Sequence, residues 1–271
     1  MSPPSGPGLP PVDHVKSQDG TPIAYQQTGQ GPVLVLVVGA FCDRTSTASL
    51  TPLLAPTFTV VEYDRRGRGD SGAGEGHGDD LDPAREVEDL AAVVEAVGGS
   101  AALYGHSSGG ALALEAAAAG LPVTRVAVYE PPYAVDPVGA PTELLDAVRE
   151  RLGAGDPDGG ASRFLEATGM PPQALAEFRA SPGWPRMRAL APSLVHDLAL
   201  IGSGRIPAER FAAIGCPTLV LSGGPSPSSP SPAGVAVAGA VPGARHELVV
   251  GQTHAVAAAA VAPVLVDWFG R

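Results

Sequence analysis

SAALYGHSSGGALALEAAAA, residues 100–119, decides the fold. Its first residues form a short apolar run ended by Gly105, and the remainder has helical spacing, so the stretch reads as strand, sharp turn and helix. Gly105-His106-Ser107-Ser108-Gly109 falls on the turn and fits G-x-S-x-G. A serine at such a turn has strained backbone geometry, and the glycines two before and two after it remove side chains that would collide where strand and helix cross. The hydroxyl is then presented at a helix N-terminus, where backbone N–H dipoles favour the negative charge that develops when a carbonyl is attacked. Ser107 is therefore a candidate nucleophile, and the bland alternative is a Gly/Ser turn without chemistry.

Working outward, short apolar runs recur at 32–39 (PVLVLVVG), 58–64 (FTVVEYD), 123–130 (VTRVAVYE), 217–223 (PTLVLSG) and 245–250 (RHELVV). Continuous apolar runs of this length suit strands buried on both faces, and the helical spacing at 83–97 and 107–119 between them argues a mostly parallel α/β sheet flanked by helices. Asp19-Gly20 marks a hairpin turn near the start. Asp82 and Pro83 open a helix whose Glu86, Glu88 and Asp89 suit the positive end of its dipole. Between Val135 and Ile214 the strand pattern stops, and helical pieces at 142–152, 162–168, 173–180 and 184–200 alternate with Gly/Pro breaks. The expected organisation is a tail at 1–11, a sheet domain made of 12–134 and 215–271, and an inserted helical cap at 135–214. SGGPSPSSPSP, residues 222–232, is expected to be a rigid polar loop.

The 271 residues carry 17 basic and 28 acidic side chains, a formal charge of −11. That sign opposes nucleic acid and anionic membrane surfaces, so the expected partner is a small molecule. The apolar run at 255–266 is broken by Pro263 and falls short of the ~20 residues a membrane span needs. MSPPSGPGLPP has neither a basic leader nor an apolar stretch, which makes the cytoplasm the default expectation. Cys42 and Cys216 form no CxxC pair, and the expected cofactor and metal content is none. His77, Asp79 and Asp80 in a Gly-rich loop are more simply solvated than metal-binding. Gly67-Arg68-Gly69-Asp70-Ser71-Gly72 fits G-x-G-x-x-G, but the next helix begins too late to cradle a pyrophosphate.

Beyond the serine turn, three segments agree in resembling the α/β-hydrolase superfamily from about Val12 to Arg271. Asp64-Arg65-Arg66-Gly67-Arg68-Gly69-Asp70-Ser71 looks like its D-x-R-G-x-G-x-S loop. Val38-Gly39-Ala40-Phe41 stands where members usually carry His-Gly. Gly251-Gln252-Thr253-His254 matches the G-x-x-H after the last strand. The resemblance implies that His254 is the general base, in preference to His14, His77, His106, His196 and His246. It also implies an oxyanion hole of backbone N–H groups from Ser108 and from Ala40, or Phe41 if the register shifts because Val38 replaces the usual histidine. Phe41, His106, Tyr133 and Trp184 are candidate pocket-lining residues, with Tyr104 and Tyr129 beside them.

One position departs from the family. Members commonly carry an aspartate after the strand that here reads PTLVLSGG, and Ser226 occupies that place; residues 211–246 contain no Asp or Glu. Glu130 is the best substitute, because it ends VTRVAVYE on the neighbouring strand and Pro131-Pro132 fix its exit. That placement is similar to haloalkane dehalogenases and some thioesterases of the superfamily. The alternatives are a Glu130 that lines the pocket or pairs with a cap arginine such as Arg186 or Arg188.

A hydroxyl is a weak nucleophile at its own pKa, so Ser107 needs His254 to take its proton and later return it to the leaving group. The resulting expectation is a cofactor-independent serine hydrolase of a carboxylic ester or thioester, with a small and largely apolar substrate chosen by the cap. Two rivals keep the fold. One is a lyase, cyclase or C–C bond hydrolase of specialised metabolism, motivated by the missing aspartate. The other is a ligand-binding module without turnover.

Overall fold

The strand residues alternate between two buried faces, which is why their runs are apolar throughout. In β3 (Val33–Val37), Leu34 and Leu36 join one core cluster while Val35 and Val37 join the other. In β5 (Ala101–His106), Ala102 and Tyr104 oppose Ala101 and Leu103 in the same way. A computed structural model describes residues 11–74, 81–135, 141–224 and 231–271.

The other strands are β1 (Asp13–Lys16), β2 (Pro22–Thr28), β4 (Thr59–Tyr63), β6 (Val123–Tyr129), β7 (Thr218–Gly224) and β8 (Arg245–Val250). They form one sheet in the order β1-β2-β4-β3-β5-β6-β7-β8. β1 and β2 make the antiparallel hairpin expected at Asp19-Gly20, and β2 pairs antiparallel with β4. All remaining pairs are parallel. Against one face pack α2 (Ala84–Ala96), α3 (Ser108–Ala118) and α10 (Ser231–Ala240); against the other pack α1 (Thr51–Leu54) and α11 (Ala258–Phe269). Among the described residues, no helix is long and apolar enough to cross a membrane.

The insertion between β6 and β7 is helical as expected, with α4 (Pro141–Gly153), α5 (Pro157–Ala167), α6 (Pro172–Arg179), α7 (Trp184–Leu190), α8 (Leu194–Ile201) and α9 (Ala208–Phe211). Its apolar side chains form a third cluster that includes Val148, Leu165, Trp184, Leu194 and Leu198 and reaches Phe41 in the sheet domain. Phe211 and Ile214, at the end of the range expected for the cap, pack in the main core instead.

Several expectations are corrected. α5 begins five residues before the expected start, because the Asp156 carboxylate accepts the Gly159 N–H and Pro157 fits the first turn. The single helix expected over 184–200 is broken by a 3₁₀ turn at Ala191–Ser193, where Pro192 has no N–H to donate. Residues 222–224 extend β7, and 231–232 open α10, so the loop expected at 222–232 is shorter; 225–230, with Ser226, lie outside the described residues. So do 1–10 of the tail, and His77, Asp79 and Asp80. α2 starts at Ala84 with Pro83 as its N-cap, one residue later than expected, although the Asp82 carboxylate still accepts the Ala84 N–H; Glu86 lies in the first turn as expected, and it and Asp89 are also buried partners of Arg65 and Arg66.

Candidate active site

Three non-glycine residues have left-handed backbone among the described residues: Phe41 (φ 56°), Ser107 (φ 54°) and Glu130 (φ 46°). Such geometry is costly for a residue with a Cβ and persists only where the surroundings impose it. Each residue follows the C-terminal end of a parallel strand, β3, β5 and β6 respectively, and these strands are neighbours in the sheet.

The turn at Ser107 is shaped by its glycines. A Cβ on Gly105 would strike the Gly109 carbonyl oxygen, and one on Gly109 would strike that of Val37, so neither position has room for a side chain. The Ser107 N–H donates to the Tyr129 carbonyl at 2.9 Å, which ties the turn to β6 as α3 begins. Gly39 packs directly on the serine: a Cβ there would lie 3.0 Å from Ser107 Cβ. The segment carrying Ala40 and Phe41 therefore runs beside Ser107, and the Phe41 ring meets Phe164 of the cap edge-on at 5.4 Å.

His254 stands in the loop after β8, which turns at Gly251 (φ 74°). Two side chains from below hold that loop. The Tyr129 hydroxyl donates to the Thr253 carbonyl at 2.7 Å, and His106 Nε2–H donates to the His254 carbonyl at 2.8 Å. The His106 ring stacks on Tyr129 and lies 4.9 Å from the His254 ring. Burial, with the neighbouring His254, pushes the His106 pKa down to about 4. His106 is therefore neutral near pH 7, and its hydrogen to the His254 carbonyl places the proton on Nε2.

Glu130 is fully buried and uses both carboxylate oxygens. Oε1 accepts the Gly223 N–H at 3.0 Å, and Oε2 accepts His254 Nδ1–H at 2.7 Å. The two cap arginines considered as rival partners are engaged elsewhere. Arg186 meets Asp43, Thr45 and Ser46, and Arg188 meets Asp158.

Of the residues singled out in the sequence, Ala40, Phe41, His106, Ser107, Ser108, Glu130 and His254 gather at these strand ends. Tyr133 and Trp184 do not. Tyr133 is buried with its ring edge-on to Phe211 in the main core. Trp184 packs on Phe178 within the cap, where its indole N–H finds the Asp158 carboxylate at 2.6 Å. Tyr104 is likewise a core residue, on the α11 face. Sequence reasoning missed Asp197 of α8, whose Oδ1 accepts the Ser108 hydroxyl at 2.6 Å. The available signal was a lone acid inside the apolar run LVHDLALI. Among the described residues, no three His, Cys, Asp or Glu side chains gather as a metal site requires.

A family model described as the alpha/beta hydrolase family matches residues 34–262. An alpha/beta hydrolase from Sphaerobacter thermophilus DSM 20745 is 45% identical, with a TM-score of 0.87 over 95% of this chain and 100% of that one. A thermophilic esterase from Thermogutta terrifontis is 21% identical (TM-score 0.75; 96% and 98% of the two chains), and an enol-lactonase from Burkholderia xenovorans LB400 is 22% identical (TM-score 0.70; 96% and 100%). At those identities the last two share the fold.

Proposed function

The chain belongs to the alpha/beta hydrolase family, and on that premise we propose that it hydrolyses a carboxylic ester or thioester of a small, largely apolar molecule through an acyl-enzyme on Ser107. The observation that carries this reading is the 2.7 Å contact between Glu130 Oε2 and His254 Nδ1. With Nδ1–H committed to the carboxylate, the lone pair of the imidazole lies on Nε2, the tautomer a general base needs.

In the proposed cycle, Ser107 Oγ attacks the carbonyl carbon while His254 Nε2 takes its proton. The carbonyl oxygen becomes an oxyanion held by the N–H groups of Ala40 and Ser108. The protonated imidazole then gives its proton to the leaving alcohol or thiol, and the C–O or C–S bond breaks. Water, deprotonated by His254, attacks the acyl-serine and regenerates the hydroxyl. Glu130 holds Nδ1–H and stabilises the imidazolium formed in each half. Phe41 and Phe164, in ring contact where the cap meets the sheet domain, supply an apolar wall that suits an uncharged acyl group. The non-hydrolytic alternative drew its motive from the missing aspartate after β7, and a carboxylate on His254 from β6 removes that motive.

Treatment with a fluorophosphonate followed by intact-mass analysis tests the reading. One adduct on the wild-type protein, lost in Ser107→Ala and in His254→Ala, is the expected result. A wild-type protein that stays unlabelled, or p-nitrophenyl ester turnover that survives Ser107→Ala, would overturn it.

A further inference from the structure

Beneath the proposed oxyanion hole lie four buried charges: Arg65 and Arg68 from the loop after β4, Glu86 of α2 and Asp197 of α8 in the cap. Arg65 is gripped by Glu86 through Nε at 2.8 Å and Nη2 at 2.5 Å, and its Nη1 donates to Asp197 Oδ1 at 2.8 Å. Arg68 Nη2 contacts both oxygens of Asp197, each at 2.8 Å. Burial alone would raise the Asp197 pKa, but the two guanidinium groups and the Ser108 hydroxyl outweigh it and hold the carboxyl below its usual range. Two cations and two anions balance, which is the condition for keeping such groups away from water.

One nitrogen of each arginine also reaches the main chain around the site. Arg68 Nη1 donates to the carbonyls of Gly39 at 2.6 Å and Cys42 at 3.1 Å, so one nitrogen holds both ends of the turn that contains Ala40 and left-handed Phe41. Arg65 Nη1 reaches the Val38 carbonyl at 3.1 Å. In a trans peptide the carbonyl of one residue and the N–H of the next point in opposite directions. Drawing the Gly39 carbonyl onto Arg68 therefore turns the Ala40 N–H away from the arginine, on a segment packed against Ser107. Asp197 also accepts the Ser108 hydroxyl, which anchors the residue carrying the other proposed donor.

We propose that Asp197 is a positioning residue that sets both halves of the oxyanion hole from the cap, acting through Arg68 on the Ala40 N–H and through the Ser108 hydroxyl on the Ser108 N–H. This rests on the hydrolase reading and extends it, because it makes the inserted helix part of the alignment of the transition state. Such a role affects the oxyanion more than the bound ester, so it appears in kcat and not in KM.

The test compares Asp197→Asn, Arg68→Lys and Ser108→Ala with wild type on p-nitrophenyl acetate, with active sites counted by fluorophosphonate labelling and folding followed by Tm. Asp197→Asn is expected to lower kcat per labelled site by roughly 10- to 100-fold, below the ~10² to 10³ for outright loss of a donor, with KM within about twofold. The rate constant for phosphonylation, which also places an oxygen in the hole, falls in parallel. Ser108→Ala removes the hydroxyl that joins Asp197 to Arg65 Nη1, which donates to it at 3.1 Å, but leaves both arginines on the Asp197 carboxylate; it is the milder variant if Asp197→Asn does not fold, and it and Arg68→Lys are expected to lose kcat in the same way. Folded variants with a lower Tm but wild-type kcat per site would assign the cluster to stability alone and overturn the inference. A wild type inert toward both ester and phosphonate would instead overturn the hydrolase reading on which it rests.

Discussion

Glu130 and His254, 124 residues apart in sequence, meet through a 2.7 Å hydrogen bond between Oε2 and Nδ1, and the carboxylate comes from the end of β6. Its other oxygen is held by the Gly223 N–H at the end of β7. The acid thus reaches across to the strand after which the family usually carries its own aspartate. Left-handed backbone at Glu130 is the local cost of that reach.

Glu130→Gln should therefore lower kcat by about 10³ to 10⁴, the scale seen when a serine protease loses the triad carboxylate to its amide. KM should change little. Ser226→Ala should stay within about twofold of wild type on both constants. Steady-state kinetics on a p-nitrophenyl ester checks both, and a loss below tenfold for Glu130→Gln would remove the carboxylate from the mechanism.

His106 gives a pH signature. Its folded pKa of about 4 lies below the ordinary value of 6.5, so the unfolded chain binds the extra proton between those limits. Its contribution to stability is complete above pH 6.5 and is lost progressively as pH falls toward 4. Replacing it by Gln should flatten the dependence of Tm on pH in that window. An equally steep dependence in the variant would assign the effect to other groups.

Gly109→Ala places a methyl group against the Val37 carbonyl, a backbone atom that cannot swing aside. The expected loss is at least ~2 kcal/mol, at the upper end of overpacking penalties or beyond. Urea unfolding measures it, and a change under ~0.5 kcal/mol would mean that strand and helix cross less tightly here.

Arg186→Ala should be close to silent. The residue is half exposed and its pair with Asp43 lies at the surface, where such bridges contribute up to about 1 kcal/mol. Its kcat and KM should match wild type, whereas a large fall in kcat would implicate the cap arginine in the chemistry.

The sheet was legible because its strands are buried on both faces, which leaves short, largely apolar runs such as VLVLV and TVVEY that stand out from the turns around them. The candidate site was legible where it depends on local backbone: the glycines around Ser107, the Gly251 turn before His254, and Glu130 at a strand end before two prolines. The packing of Tyr133 against Phe211 and of Trp184 against Phe178 was not legible, because an aromatic residue in sequence carries no mark of which buried cluster it joins. The use of Glu86, Asp89 and Asp197 was hidden for a related reason. Their partners are arginines up to 132 residues away, so nothing in their own neighbourhood separates a buried charge from a solvated one.

Asp197 makes the helical insertion a fixed roof. Lifting α8 away would strand the Arg68 guanidinium without its anion and leave Arg65 to Glu86 alone, and unpairing a buried charge of this kind costs several kcal/mol. A roof transplanted from another member of the family would have to bring an acid to the same spot, so the insertions of this family are not freely interchangeable on this base.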